Sequence, residues 1–146
     1  MNRREFVTQT CVACLGGSLL SSVLAACSST HYTTGSIEAK GISVLQSEFS
    51  EIKNGQTSLR QFIIVSHDTL EFPIYLYRLN ATEYSALWMK CTHQGSELQA
   101  AGDHLYCSSH GSEFDRKGNV SQGPAEKNLR SFPVTITGDK LSIELT

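Results

Sequence analysis

Beyond residue 41 the apolar positions recur in short runs with a period of two. Ser58–Ser66 (SLRQFIIVS) is dense in β-forming residues. Phe72–Leu79 (FPIYLYRL) alternates Ile74 and Leu76 with Tyr75 and Tyr77, and Tyr84–Lys90 (YSALWMK) is a further strand-like run. Near the C-terminus, Phe132, Val134 and Ile136 face Leu141, Ile143 and Leu145 across Gly138-Asp139, the pattern of a hairpin. Gly102-Asp103 and Lys117-Gly118-Asn119 add two turn signals. No stretch after residue 37 carries a sustained helical period, and no internal repeat is visible. Short strands with closely spaced turns predict an all-β domain, a sandwich or small barrel.

The N-terminal region is patterned differently. Met1–Val7 (MNRREFV) places Arg3-Arg4 ahead of Phe6 and resembles a twin-arginine export signal, without the common Ser or Thr before the first arginine. Residues 8–26 carry no charge, are rich in Leu, Val, Ala and Gly, and are interrupted by Gly16-Gly17 and several Ser and Thr. That composition suits a signal h-region better than a strongly apolar membrane span. Leu24-Ala25-Ala26-Cys27 resembles a bacterial lipobox, which implies acylation of Cys27 as the new N-terminus. An uncleaved anchor helix is the alternative; either reading tethers the chain to a membrane outside the cytoplasm. Each buried CH₂ contributes about 0.8 kcal/mol, so two or three acyl chains anchor stably. Ser28–Ser36 (SSTHYTTGS) has no Lys, Arg, Asp or Glu and reads as flexible tether. The expected organisation is a signal at 1–27, a tether at 28–41 and one domain at 42–146. Ser28 is not an Asp-type inner-membrane retention signal, which leans toward the outer membrane.

Composition narrows the function. The chain has 146 residues and a formal charge of -2, so a single domain without an electrostatic footprint for nucleic acid is expected. Of five cysteines, Cys11 and Cys14 fall in the h-region and Cys27 in the lipobox. Cys91 and Cys107 remain.

Each remaining cysteine has a histidine beside it: Cys91-Thr92-His93 and Cys107-Ser108-Ser109-His110. Thirteen residues separate His93 from Cys107, and Glu97–Tyr106 between them reads as a hairpin turning at Gly102-Asp103. Such a hairpin sets two loops side by side at one end of a sheet, where two thiolates and two imidazoles can converge. Zinc accepts that donor set. Zinc fingers, however, pair cysteine with cysteine and histidine with histidine. One of each per loop suits a two-iron cluster, in which each loop gives sulfur to one iron and nitrogen to the other.

Cys91-Thr92-His93-Gln94-Gly95 and Cys107-Ser108-Ser109-His110-Gly111-Ser112 resemble the two binding boxes of Rieske [2Fe–2S] proteins. Gly123-Pro124-Ala125 resembles the family's proline loop, which covers the cluster. The resemblance implies an antiparallel β sandwich with two cluster-binding loops at one end, and one [2Fe–2S] cluster held by Cys91, His93, Cys107 and His110. Replacing two thiolates by neutral imidazoles changes the oxidised cluster's charge from -2 to 0. Reduction becomes easier, at roughly -150 to +300 mV against about -400 mV for plant-type ferredoxins. The far ring nitrogens of the histidines would face solvent and exchange protons as that charge changes. Gly95 and Gly111 allow tight turns and bring backbone N–H groups near the sulfides. Ser112 matches a serine that donates to a bridging sulfide. Two departures stand out. Ser96 and Ser109 occupy positions that hold a disulfide in cytochrome bc complexes, and Phe114 replaces a tyrosine that donates to a ligand sulfur. Fewer hydrogen bonds to sulfur imply a potential below quinol-oxidising Rieske proteins and above dioxygenase ferredoxins. His31, His67, His104 and Asp115-Arg116-Lys117 read as solvated surface, and Trp88 and Met89 as core.

The expected function is one-electron transfer, as a membrane-tethered carrier or the small subunit of an exported redox complex. The plan is similar to that of exported arsenite-oxidase small subunits. The expected location is the periplasm-facing cell envelope, with an unidentified redox protein as partner. Three alternatives are the iron–sulfur subunit of a quinol:cytochrome c-type oxidoreductase, a dioxygenase ferredoxin, and a structural zinc-binding lipoprotein.

Overall fold

The structure is a computed structural model and describes residues 30–146. The signal, the Cys11 and Cys14 pair and the lipobox Cys27 lie outside the described residues. In chain order the strands are β1 (Tyr32–Thr34), β2 (Ser36–Glu38), β3 (Gly41–Leu45), β4 (Ser50–Lys53), β5 (Gln56–Leu59), β6 (Phe62–Ser66), β7 (Ile74–Arg78) and β8 (Tyr84–Trp88). They continue as β9 (Gln99–Ala101), β10 (His104–Tyr106), β11 (Glu113–Asp115), β12 (Val120–Gln122), β13 (Ser131–Phe132), β14 (Val134–Thr137) and β15 (Lys140–Glu144). One 3₁₀ turn, Gln46–Phe49, joins β3 to β4.

Three sheets stack as layers. The middle sheet runs β1-β6-β7-β8-β13, flanked by β14-β15-β3-β2 and by β12-β11-β10-β9. The period-two pattern explains the stack. Ile63, Val65, Ile74, Leu76 and Ala86 point to one side of the middle sheet and pack with Ile42, Phe49, Leu141 and Ile143. Ile64, Tyr75, Tyr77 and Leu87 point to the other and pack with Leu98, Leu105, Phe114, Cys91 and Cys107. The alternation of Ile74-Leu76 with Tyr75-Tyr77 is therefore one strand serving two cores, aliphatic on one face and aromatic on the other. The buried Tyr75 hydroxyl donates to the Gly102 carbonyl at 2.7 Å, seating the β9–β10 turn on the middle sheet.

The hairpins expected at Gly102-Asp103 and Gly138-Asp139 are present as β9–β10 and β14–β15. Two boundaries differ. The apolar run at 58–66 breaks at Arg60-Gln61, where the chain leaves the β4–β5 ribbon and enters the middle sheet. The stretch from 30 to 41 is not all tether. Tyr32–Thr34 pairs in parallel with Ile64–Ser66, and Ser36–Glu38 pairs with β3. Backbone hydrogen bonding, which needs no apolar side chain, recruits this polar segment. His31 is also tied down, with Nε2 2.8 Å from Glu48 Oε2. His67 and His104 keep local partners, Thr69 and Asp103.

The hydrogen bond with His31 holds the Glu48 carboxyl below the usual carboxylate range, against the opposing effect of burial. A carboxyl depressed by folding adds stability above its unfolded value and loses it as pH falls through the folded one. With both side chains 31% exposed, the pair contributes less than about 1 kcal/mol. Wild type is thus expected to melt above Glu48→Gln at pH 7 and to lose that margin well below pH 4.5, the ordinary carboxyl value. Paired thermal melts at pH 7 and in acid read the difference.

Candidate functional site

β8 leads through Met89 and Lys90 into the first loop, and β10 leads into the second. The two loops use one hydrogen-bond pattern. Gly95 N–H donates to Cys91 O at 2.8 Å and Cys91 N–H to Ser96 O at 2.8 Å. Gly111 N–H donates to Cys107 O at 2.9 Å and Cys107 N–H to Ser112 O at 2.8 Å. Both closures need a left-handed residue, supplied by Gly95 (φ 76°) and Gly111 (φ 80°). Both cysteines are free and buried.

The loops differ in how they deliver histidine, one residue earlier in the first than in the second. The imidazoles nevertheless meet, with ring centroids 4.9 Å apart and planes at 85°. His110 is exposed and His93 half-buried. Nδ1 of His93 is a buried nitrogen without a hydrogen-bond partner. Burial pushes the Cys107 thiol up, but backbone N–H groups of Ser109 and His110, the Cys91 thiol and the Ser109 hydroxyl outweigh it and hold the thiol below its usual range. Among the described residues no three His, Cys, Asp or Glu side chains converge on the position of a single ion. The set divides instead into adjacent thiols within and adjacent imidazoles at the surface.

Ser96 and Ser109 meet across the loops, Ser109 Oγ donating to Ser96 Oγ at 3.0 Å. Ser112, fully buried, accepts the Ala125 N–H at 3.0 Å, leaving its own proton to donate. Phe114 is fully buried in the core beneath both cysteines. Pro124 itself is exposed. The loop holding it is pinned on both sides, because the Thr92 hydroxyl donates to Lys127 O at 2.6 Å while Ala125 reaches Ser112. The proline loop thus bridges first box to second. The Thr92 contact was not anticipated; its only signal in the sequence is a hydroxyl between two candidate ligands. Trp88 is only half-buried, with Lys90 and Arg130 stacked on its ring at 4.9 Å and 5.9 Å.

The Rieske [2Fe–2S] domain family model matches residues 44–133. The mitochondrial cytochrome b-c1 complex Rieske subunit of Chlorocebus aethiops is 38% identical over 71 residues, covering 47% of this chain and 26% of that protein. The ubiquinol-cytochrome c reductase iron-sulfur subunit of Rickettsia felis is 42% identical over 53 residues, covering 34% and 30%. The chain thus spans between about a quarter and a third of the length of the curated relatives it matches. A chain of a hyperthermophilic respiratory Complex III superposes with a TM-score of 0.52 at 20% identity, over 94% of this chain and 92% of that one. The plasma-membrane Rieske protein of Synechocystis PCC 6803 gives 0.51 at 24% identity, over 57% and 86%. These two likenesses concern the fold. Domains of this family carry one [2Fe–2S] cluster. The orphaned His93 Nδ1, the paired thiols and the N–H donors around Cys107 fit that group. By its family match and its fold, the chain belongs to the Rieske [2Fe–2S] domain family.

Proposed function

We propose that the chain is a membrane-tethered one-electron carrier, or the small electron-transfer subunit of an exported redox complex. Cys91 and Cys107 would hold one iron of the cluster, and His93 and His110 the other. The observation that carries this reading is the sorting of donors by depth: buried thiols behind, an imidazole edge in front. The cluster supplies a site that takes up and gives back a single electron. The chain's residues do the rest. Phe114, Leu98 and Leu105 keep water from the sulfurs, and Gly95 and Gly111 set the loop curvature. His110 presents its ring to a docking redox protein. Ser112, pinned by Ala125, aims its proton at the site and stabilises the more negative reduced state. The twin-arginine-like N-terminus and the lipobox-like Cys27 support a lipid-anchored place in the periplasm-facing envelope. No helix among the described residues is long and apolar enough to cross a membrane.

A second reading, the iron–sulfur subunit of a quinol:cytochrome c-type oxidoreductase, draws support from the names of the matched relatives. A quinol-reduction assay on native membranes, with and without a quinol-site inhibitor, separates the two: inhibitor-sensitive reduction of this chain would favour the oxidoreductase.

The reduced full chain is expected to give the rhombic, low-average-g EPR signal of mixed histidine and cysteine ligation. An EPR-silent protein containing zinc would overturn the electron-transfer reading. Phe114→Tyr, which adds a hydroxyl beneath the cysteines, is expected to raise the reduction potential in film voltammetry; an unchanged potential would mean that the hydroxyl does not reach sulfur. The Ser96 and Ser109 hydroxyls stand where a disulfide fits with little movement. The double variant Ser96→Cys, Ser109→Cys is expected to cross-link on oxidation, read by intact mass, and to gain up to about 3 kcal/mol, the chain-entropy value for a loop of this size.

A further inference from the structure

The β4–β5 ribbon is patterned inside out. Its register pairs Ser50 with Leu59, Glu51 with Ser58 and Ile52 with Thr57, so Ile52 and Leu59 share one face and Glu51 and Lys53 the other. On the charged face Glu51 and Ser58 are half-buried, while Lys53 stays 55% exposed. The Glu51 side chain is 15% exposed, and its carboxylate meets Lys53 Nζ at 2.9 Å and Arg60 Nε at 3.7 Å. The apolar face is turned to solvent, with Ile52 80% exposed and Leu59 53%. Polar-out, apolar-in is what an isolated soluble ribbon needs, yet here the apolar side chains are more exposed than Glu51.

The position of the ribbon relative to the N-terminal entry narrows what would cover it. β1 runs parallel to β6 with Tyr32 opposite Ile64, so the chain ahead of Tyr32 lies toward Phe62, where the ribbon joins the middle sheet. Trp88, which leads to Cys91, pairs with Ile74, and Ile74 with Val65, at the other end of the same sheet. The N-terminal entry and the ribbon therefore share one pole, and the cluster loops occupy the opposite one. Tyr32, 65% exposed, adds a third apolar side chain to the entry pole. The nearby carboxylates are partnered, Glu48 with the His31 ring and Glu51 with Lys53 and Arg60. Only three residues separate Cys27 from the pinned His31, four Cα steps or at most about 14 Å of extended chain.

We propose that this pole is a lipid-seating surface: Ile52, Leu59 and Tyr32 enter the headgroup layer of the membrane to which the N-terminal segment attaches, and hold the cluster pole away from it. The inference rests on the tether reading above. A bilayer interface accepts an apolar face buried about 5–10 Å, on the scale of side chains rather than of a whole ribbon.

The test uses the full, cluster-loaded chain bound to phosphatidylcholine–phosphatidylglycerol vesicles, with or without brominated acyl chains. Trp88 is the single native tryptophan and lies at the cluster pole. In Ile52→Trp the introduced indole is expected to lose most of its emission to brominated lipid, while Trp88 emission in wild type is unaffected. Amide exchange across residues 50–59 is expected to slow on vesicles. Ile52→Ser with Leu59→Ser should reverse that slowing, the seated-to-free ratio falling about tenfold for each side chain, with flotation unchanged. Flotation without quenching would overturn the seating and leave the tether standing. Failure to float would overturn the tether and the seating with it. An unquenched indole with doubled sedimentation mass would assign the face to a second copy and equally overturn the proposal.

Discussion

A thiolate buried in an apolar core is costly unless N–H donors face it, whereas an imidazole that must meet a partner has to reach the surface. One small site here satisfies both demands. The structure does so by repeating a loop: the same closure, glycine to cysteine carbonyl and cysteine N–H to a following serine carbonyl, occurs at Cys91 and at Cys107. Two copies of one turn, brought face to face by the β9–β10 hairpin, put both sulfurs on the inner side and both rings on the outer. Several contacts of the domain hold those turns in register. The Tyr75–Gly102 hydrogen bond seats the hairpin, the Thr92–Lys127 and Ser112–Ala125 contacts strap the loops, and Phe114 fills the floor.

Much of this was legible in the sequence because it is encoded locally. The boxes, their glycines and the intervening Gly102-Asp103 turn are contiguous, and the donor chemistry follows from residue type. The two-faced strand at Ile74–Arg78 was visible as alternation, although only the packed structure assigns its faces to separate cores. The meeting of Ser96 with Ser109 followed from the family's disulfide position, and the 3.0 Å contact makes it a physical pair rather than an alignment.

What was not legible depends on pairing at long range. The polar segment around Tyr32–Glu38 has no apolar period, so it reads as linker; it is ordered by backbone ladders to β6 and β3. The break at Arg60-Gln61 is equally silent, since both sides are β-formers and only the change of sheet separates them. The ribbon misleads in another way. Ile52 and Leu59 suggest inward positions by hydrophobicity, yet register and the Glu51 ion pairs turn them outward.

The early start of the folded domain changes how the proposed tether would act. A linker reaching to residue 41 would let the domain swing freely. With His31 bonded to Glu48 and Tyr32 in the sheet, the free length from Cys27 shrinks to at most about 14 Å, shorter than a domain of this size, about 35 Å across by the usual scaling. The lipid anchor proposed at Cys27 would then act less as a rope than as a hinge at one pole. The cluster pole cannot fold back to the bilayer without lifting the entry pole off it. A carrier so seated would meet partners whose redox centre stands off the membrane by roughly the height of the domain, and orientation rather than reach would govern how often His110 finds them.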